Sequence, residues 1–140
     1  MAIWQVDLNF VNNGNHIDFS SPVFISSLKK LEEFFPETKS WCETIRQYGD
    51  LDSTCIEFNI DYSDEISIRI DLRSISKNQL QVLLNFAIYN GLSIKYNDTI
   101  YETSMDTFIN IFRESNANKF LLDPEKFLKE ISEKQSDVFK

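Results

Sequence analysis

The sequence predicts an α+β fold, an antiparallel sheet with helices on one face, and three observations carry that prediction. Residues 4–10, 56–62 and 66–72 alternate apolar and polar side chains, the period-two signature of strands with one buried face. Residues 22–35 and 77–90 repeat apolar side chains at helical spacing instead. The chain is 140 residues long, which fits one domain spanning 1–140 with a core that needs no disulfide or metal to hold it.

In chain order, Trp4, Val6, Leu8 and Phe10 alternate with Gln5, Asp7 and Asn9 before Asn12–Asn15 breaks the strand with turn residues. Ser21 and Pro22 read as N-cap and first helical residue, and Phe24, Leu28, Leu31 and Phe35 form the stripe of a helix that Pro36 stops. Residues 37–53 fit either a helix or a short strand. Trp41, Ile45 and Tyr48 sit at helical spacing, yet an extended or mixed segment ending in the loop 49–53 is favoured.

Two strands follow, Ile56–Tyr62 and Ile66–Leu72, with Ser63–Glu65 short enough to join them as an antiparallel hairpin. Pairing Tyr62 with Ile66 puts Tyr62 on the core face. It also sets Arg69 diagonal to Glu57 and Asp61, and Arg73 diagonal to Glu57. Ser76 caps a helix with the stripe Leu80, Leu83, Leu84 and Ala87, which ends at Asn90-Gly91.

Leu92–Tyr96 and Thr99–Glu102 read as a small hairpin turned by Asn97-Asp98. Thr103 with Asp106 resembles a capping box for a helix whose apolar face is Met105, Phe108, Ile109 and Phe112. Asp123-Pro124 starts a last helix, with Leu122 and Phe127 as a hydrophobic staple, and the polar residues 132–140 are expected to fray. The order strand, helix, strand, strand, helix, strand is that of a split βαβ, or ferredoxin-like, domain. To it are added a C-terminal hairpin and two helices.

Composition narrows the function classes. Hydrophobic residues make up 42% of the chain, including 12 Phe, which excludes an intrinsically disordered chain. Fourteen Lys and Arg stand against 22 Asp and Glu, a formal net charge of −8. That balance argues against binding nucleic acid, which needs clustered cations, and against adhesion to an anionic membrane. No apolar run approaches the roughly 20 residues that span a bilayer, and the first residues lack the cationic and apolar regions of a signal peptide. The expected location is the cytoplasm, with Cys42 and Cys55 as free thiols.

The motifs for chemistry are sparse. Asp50-Leu-Asp-Ser-Thr54 has the spacing of the D-x-D-x-T opening of haloacid-dehalogenase phosphatases, but no run of apolar strand residues precedes it, and a turn is the better reading. His16 has no partner acid assignable from sequence, and one histidine with two distant cysteines assembles no zinc site. The three glycines are isolated, so there is no phosphate-binding loop. These residues predict no enzyme, no metal and no cofactor.

Acid concentrates in residues 37–73, where nine carboxylates meet four basic side chains, giving five of the eight net negative charges. The same stretch holds aromatic residues. Aromatic anchors within a field of one sign suit a protein-binding surface. The candidate contact residues are Trp41, Tyr48, Asp50, Asp52, Asp61, Asp64 and Glu65, with Trp41 or Tyr48 as exposed anchor.

The chain resembles the small acidic immunity proteins of contact-dependent growth inhibition and polymorphic toxin systems. The features are its size, its pI near 4.6, its richness in Asn, Ile, Lys and Phe, the strand Ile68–Arg73, and the stretch Ser115–Leu128. The resemblance covers mainly the second half of the chain, and no functional residue is carried over from it. It implies an inhibitor that binds and neutralises a cognate, basic toxin domain. The alternative from a different class is a small-ligand-binding regulatory domain of ferredoxin-like type.

Overall fold

A computed structural model describes residues 4–115. In chain order the elements are β1 (Gln5–Val11), α1 (Pro22–Glu32), β2 (Glu37–Thr38), β3 (Ile45–Gly49) and β4 (Cys55–Asn59). Then come β5 (Tyr62–Asp71), α2 (Lys77–Tyr89), β6 (Ser93–Tyr96), β7 (Thr99–Tyr101) and α3 (Met105–Glu114). The expected helix at Asp123-Pro124, its staple and the tail 132–140 lie outside the described residues.

The strands form one antiparallel sheet in the order β2-β3-β4-β5-β1-β6-β7. Alternation decides its faces. Val6, Leu8 and Phe10 of β1, Ile56 and Phe58 of β4, Ile66, Ile68 and Ile70 of β5, and Ile94 of β6 enter a single core with residues of all three helices. α1 contributes Phe24, Leu28 and Leu31, and α2 contributes Leu80, Leu83, Leu84, Phe86 and Ala87. α3 adds Phe108 and Phe112, whose rings stack 6.0 Å apart. Each fully buried aromatic or aliphatic side chain stabilises the fold by about 1.5–3 kcal/mol.

The helix ends follow local chemistry. Ser21 Oγ accepts the Phe24 amide at the start of α1, and Ser76 and Gln79 form a reciprocal capping box at α2. At α3 the cap is Ser104 rather than Thr103, because Ser104 Oγ accepts the Thr107 amide while Thr103 Oγ1 donates to the Leu92 carbonyl. The segment 37–53 is extended, as favoured, forming β2 and β3.

The β4–β5 hairpin closes earlier than the sequence suggests. Asn59 Oδ1 accepts the Asp61 amide at 2.9 Å, an Asx turn that places Asn59 opposite Tyr62 and leaves Ile60-Asp61 as the tip. Ser63–Glu65 therefore joins β5 instead of turning, and the register shifts between Glu57 and Asn59. Tyr62 emerges 63% exposed rather than in the core. Arg69 stays diagonal to Glu57, as expected, but it pairs directly with Asp7 of β1, Nε 3.0 Å from Oδ1, and Asp61 lies out of its reach at the tip. Arg73 lies over the Trp4 ring at 3.5 Å and reaches Asp71 instead of Glu57.

On the face opposite the described helices, here the helix-free face, residues 50–54 fold back over the sheet. The buried Gln5 amide donates to the carbonyls of Leu51 (3.3 Å) and Ser53 (3.0 Å), and Thr54 Oγ1 accepts the Asp71 amide at 3.1 Å. Gly49 makes this return possible. Its φ is +87°, and a Cβ there would sit 2.4 Å from the Thr54 carbonyl oxygen. Gly49→Ala should therefore cost more than about 2 kcal/mol of unfolding free energy in urea, from left-handed strain plus the clash. Gly14→Ala, at φ +85° with open space around it, should cost nearer 1 kcal/mol. Equal losses would show that the close approach at Gly49 is unimportant.

Burial also ties stability to alkaline pH. It pushes the Cys55 thiol up to about 12 from 9.0, with the Glu57 carboxylate adding to the shift, and pushes the Tyr48 hydroxyl up to about 12 from 10.0. The unfolded chain ionises these groups first, so their contribution is whole below pH 9 and is lost progressively as pH rises toward 12. Unfolding free energy measured across that range should fall less steeply in Cys55→Ala than in the parent.

Candidate partner-binding surface

The strand directions sort the loops to two ends of the sheet. β1 and β4 finish at one of them, the hairpin end, together with loops 12–21, 39–44 and 102–104 and the tip 60–61. Backbone bonds join these segments: the Ile60 amide donates to Thr44 O at 2.8 Å and the Ile17 amide to Ser63 O at 2.7 Å. Loops 50–54 and 72–76 lie at the opposite end.

Charge divides unequally between the two ends. The described residues hold 17 acidic and nine basic side chains, so they account for the whole formal charge of −8. At the hairpin end Asp18, Glu43, Asp61, Asp64, Glu65, Glu102 and Asp106 stand against Lys39, six of the eight net charges. All of these acids except the half-buried Glu65 are exposed. Trp41 (77% exposed), Ile60 and Tyr62 project into solvent at the same end.

Beside this end, on the helix-free face, a cleft of about 460 Å³ runs between β5, β1, β6 and β7. Val11, only 7% exposed, lies among its lining residues with Tyr62 and the half-exposed Ile100. Asp64, Glu65, Asp98 and Lys95 supply its charges. Asp98 is held in the β6–β7 turn with Asn97, both at positive φ (62° and 49°), the conformation of a two-residue hairpin turn whose twist matches the strands.

The structure separates the residues singled out from sequence. Trp41, Asp61, Asp64 and Glu65 share the hairpin end. Asp50 and Asp52 do not: β4 runs between the two groups, about 16 Å at strand rise. Asp50 Oδ1 accepts the Asp52 amide at 2.9 Å, the turn chemistry expected of this segment. Tyr48 cannot be a surface anchor. Opposite Ile56 it points into the core, fully buried, with its ring stacked 6.1 Å from Phe58.

Several members of the surface escape a sequence reading. His16 Nδ1 lies 2.9 Å from Asp64 Oδ1 and 3.0 Å from Ser63 Oγ, a partnership across 48 residues. Asp18, Glu102 and Asp106 reach this end only through the chain's return path, and no local pattern marks them. Among the described residues no group of three His, Cys, Asp or Glu side chains is placed to hold a metal ion, and no helix is long and apolar enough to cross a membrane. Compared with protein-family models, curated proteins and solved structures, the chain shows no match.

The two thiols differ in environment. Cys42, half-buried beside Trp41, has its Sγ 3.2 Å from Thr44 Oγ1, which holds its pKa below the usual thiol value. Cys55 is buried with a raised pKa. Iodoacetamide at pH 8 followed by peptide mass mapping should label Cys42 well before Cys55. Comparable rates would show that residues 50–54 open easily from the sheet.

Proposed function

We propose that this chain is a cytoplasmic, non-enzymatic inhibitor that binds and neutralises a basic toxin domain, an immunity protein, through its hairpin end. The observation that carries the reading is a coincidence in space: most of the net negative charge and the exposed side chains Trp41, Ile60 and Tyr62 occupy one end of the sheet. Concentrated carboxylates steer a cationic partner and raise its association rate, while the aromatic side chains supply buried anchor area once it arrives. The resemblance to small acidic immunity proteins points the same way. The strand order β4-β5-β1-β6, with helices after β1 and β5, supports reading the core as the split βαβ arrangement, widened by β2, β3 and β7.

The coding sequence immediately upstream should encode a large secreted protein with a variable C-terminal domain, and co-expression of the chain should protect cells from that domain. Replacing Asp61, Asp64 and Glu65 together by Lys should slow association with that domain about tenfold or more at low salt and remove protection. The same change at Asp50 and Asp52 should leave the rate within about twofold, since that end lies away from the contact. Both variants should remain folded, because exposed charges contribute little stability. Equal effects from the two ends, or an association rate indifferent to salt, would count against a contact at the hairpin end.

A further inference from the structure

We propose that the cleft between Tyr62 and Ile100 is the seat for an arginine side chain of the basic partner. The identity of that partner rests on the neutralisation reading, whereas the chemistry of the seat rests on the cleft alone.

Tyr62 and Ile100 stand 63% and 54% exposed in a concavity they share with Val11. Among the described residues no helix covers this side of the sheet, so the apolar surface of Val11, Tyr62 and Ile100 there faces outward. An apolar occupant alone would strip water from carboxylates without replacing it. Asp64, Glu65 and Asp98 outnumber Lys95 among the lining residues, which selects a cation and rejects phosphate or nucleic acid.

Among protein cations, guanidinium suits both surfaces at once. It is planar and weakly hydrated, so one face can lie on the Tyr62 ring while its N–H groups pair with a carboxylate in two parallel bonds. A lysine ammonium is a compact, strongly hydrated charge and can satisfy the acids only by leaving the ring. The acids are also held in position. Asp64 Oδ1 lies 2.9 Å from His16 Nδ1, Glu65 sits in the strand pair opposite Val11, and Asp98 belongs to the tight β6–β7 turn.

The experiment is a titration of the ¹⁵N-labelled protein with the peptide acetyl-Arg-Gly-Arg-amide, and with its Lys-Gly-Lys counterpart, followed by amide chemical shifts. The arginine peptide should give saturable shifts centred on Tyr62, Glu65, Lys95 and Ile100, with roughly two- to fivefold tighter binding than the lysine peptide. Tyr62→Ala should erase the preference for arginine while weak, salt-sensitive binding of both peptides persists. Glu65→Gln should weaken both, and the amide spectrum reports whether each variant is folded. Absence of saturation, equal affinity for the two peptides, or shifts at Asp50 and Asp52 as large as those at Glu65 would overturn the proposal. Failure to protect toxin-exposed cells would sink the neutralisation reading and leave this titration untouched.

Discussion

The pairing of β1 with β5 is the constraint on which the rest of this structure depends. Seven consecutive rungs, from Gln5 opposite Asp71 to Val11 opposite Glu65, join segments some 60 residues apart, and the other edge of β1 pairs with β6. Ordering that much intervening chain costs conformational entropy, which burial of Val6, Leu8 and Phe10 against Ile66, Ile68 and Ile70 offsets. Once the ladder stands, α1 and α2 are tied to the same face of the sheet. α2 connects β5 and β6, which both run antiparallel to their shared neighbour β1, and α1 leads from β1 across to the edge strand β2. The short strands β2 and β7 then finish the two edges with few unpaired backbone groups, which blunts both against pairing with another chain.

The helix-free face obeys a different rule, since polar groups there must find partners or water. Near the far end of the ladder the returning residues 50–54 supply those partners. They accept from Gln5, and from the Arg69 guanidinium through the Leu51 carbonyl at 3.3 Å. The segment also excludes water from Cys55 and Asp71, which explains why side chains on a nominally solvated face are buried. Asp71 keeps its charge satisfied by accepting the Arg73 amide at 2.9 Å. At the other end no such cover exists among the described residues, and Val11, Tyr62 and Ile100 border an open cleft.

This asymmetry gives the molecule two unlike ends. One is locked by a backbone return and holds its two turn acids, Asp50 and Asp52, in local geometry. The other gathers acids from loops far apart in sequence, with exposed aromatic residues between them. Field strength from like charges accumulates over a Debye length, about 8 Å at physiological ionic strength. Acids drawn together at one end therefore act on an approaching cation as a group, which the same acids spread along the chain would not. For a binding protein, the location of that gathering matters more than the net charge.

Periodicity and caps sufficed for β1, β4, β6, β7, the stretch of β5 from Ile66 on, α1, α2 and the apolar face of α3, because alternation, helical stripes and serine N-caps are local in their physics. Ser21, Ser76 and the Ile66–Leu72 alternation carried that information in a few residues each. Acidity, too, belonged to the sequence. What only the tertiary structure decided was which residues meet. The Asn59 side chain closes the hairpin three residues early and turns Tyr62 outward, while the β1–β5 register sets Arg69 opposite Asp7. The direction of β4 sends Asp50 and Asp52 away from Asp61, while β3 buries Tyr48. His16 finds Asp64, and Asp18 and Glu102 join the same end, only because β1 pairs with β5. The physical reason is that a stripe or a cap is satisfied by neighbours within a turn or two. A surface is defined by register and strand direction, and a shift of a few residues at one turn changes every partner downstream of it.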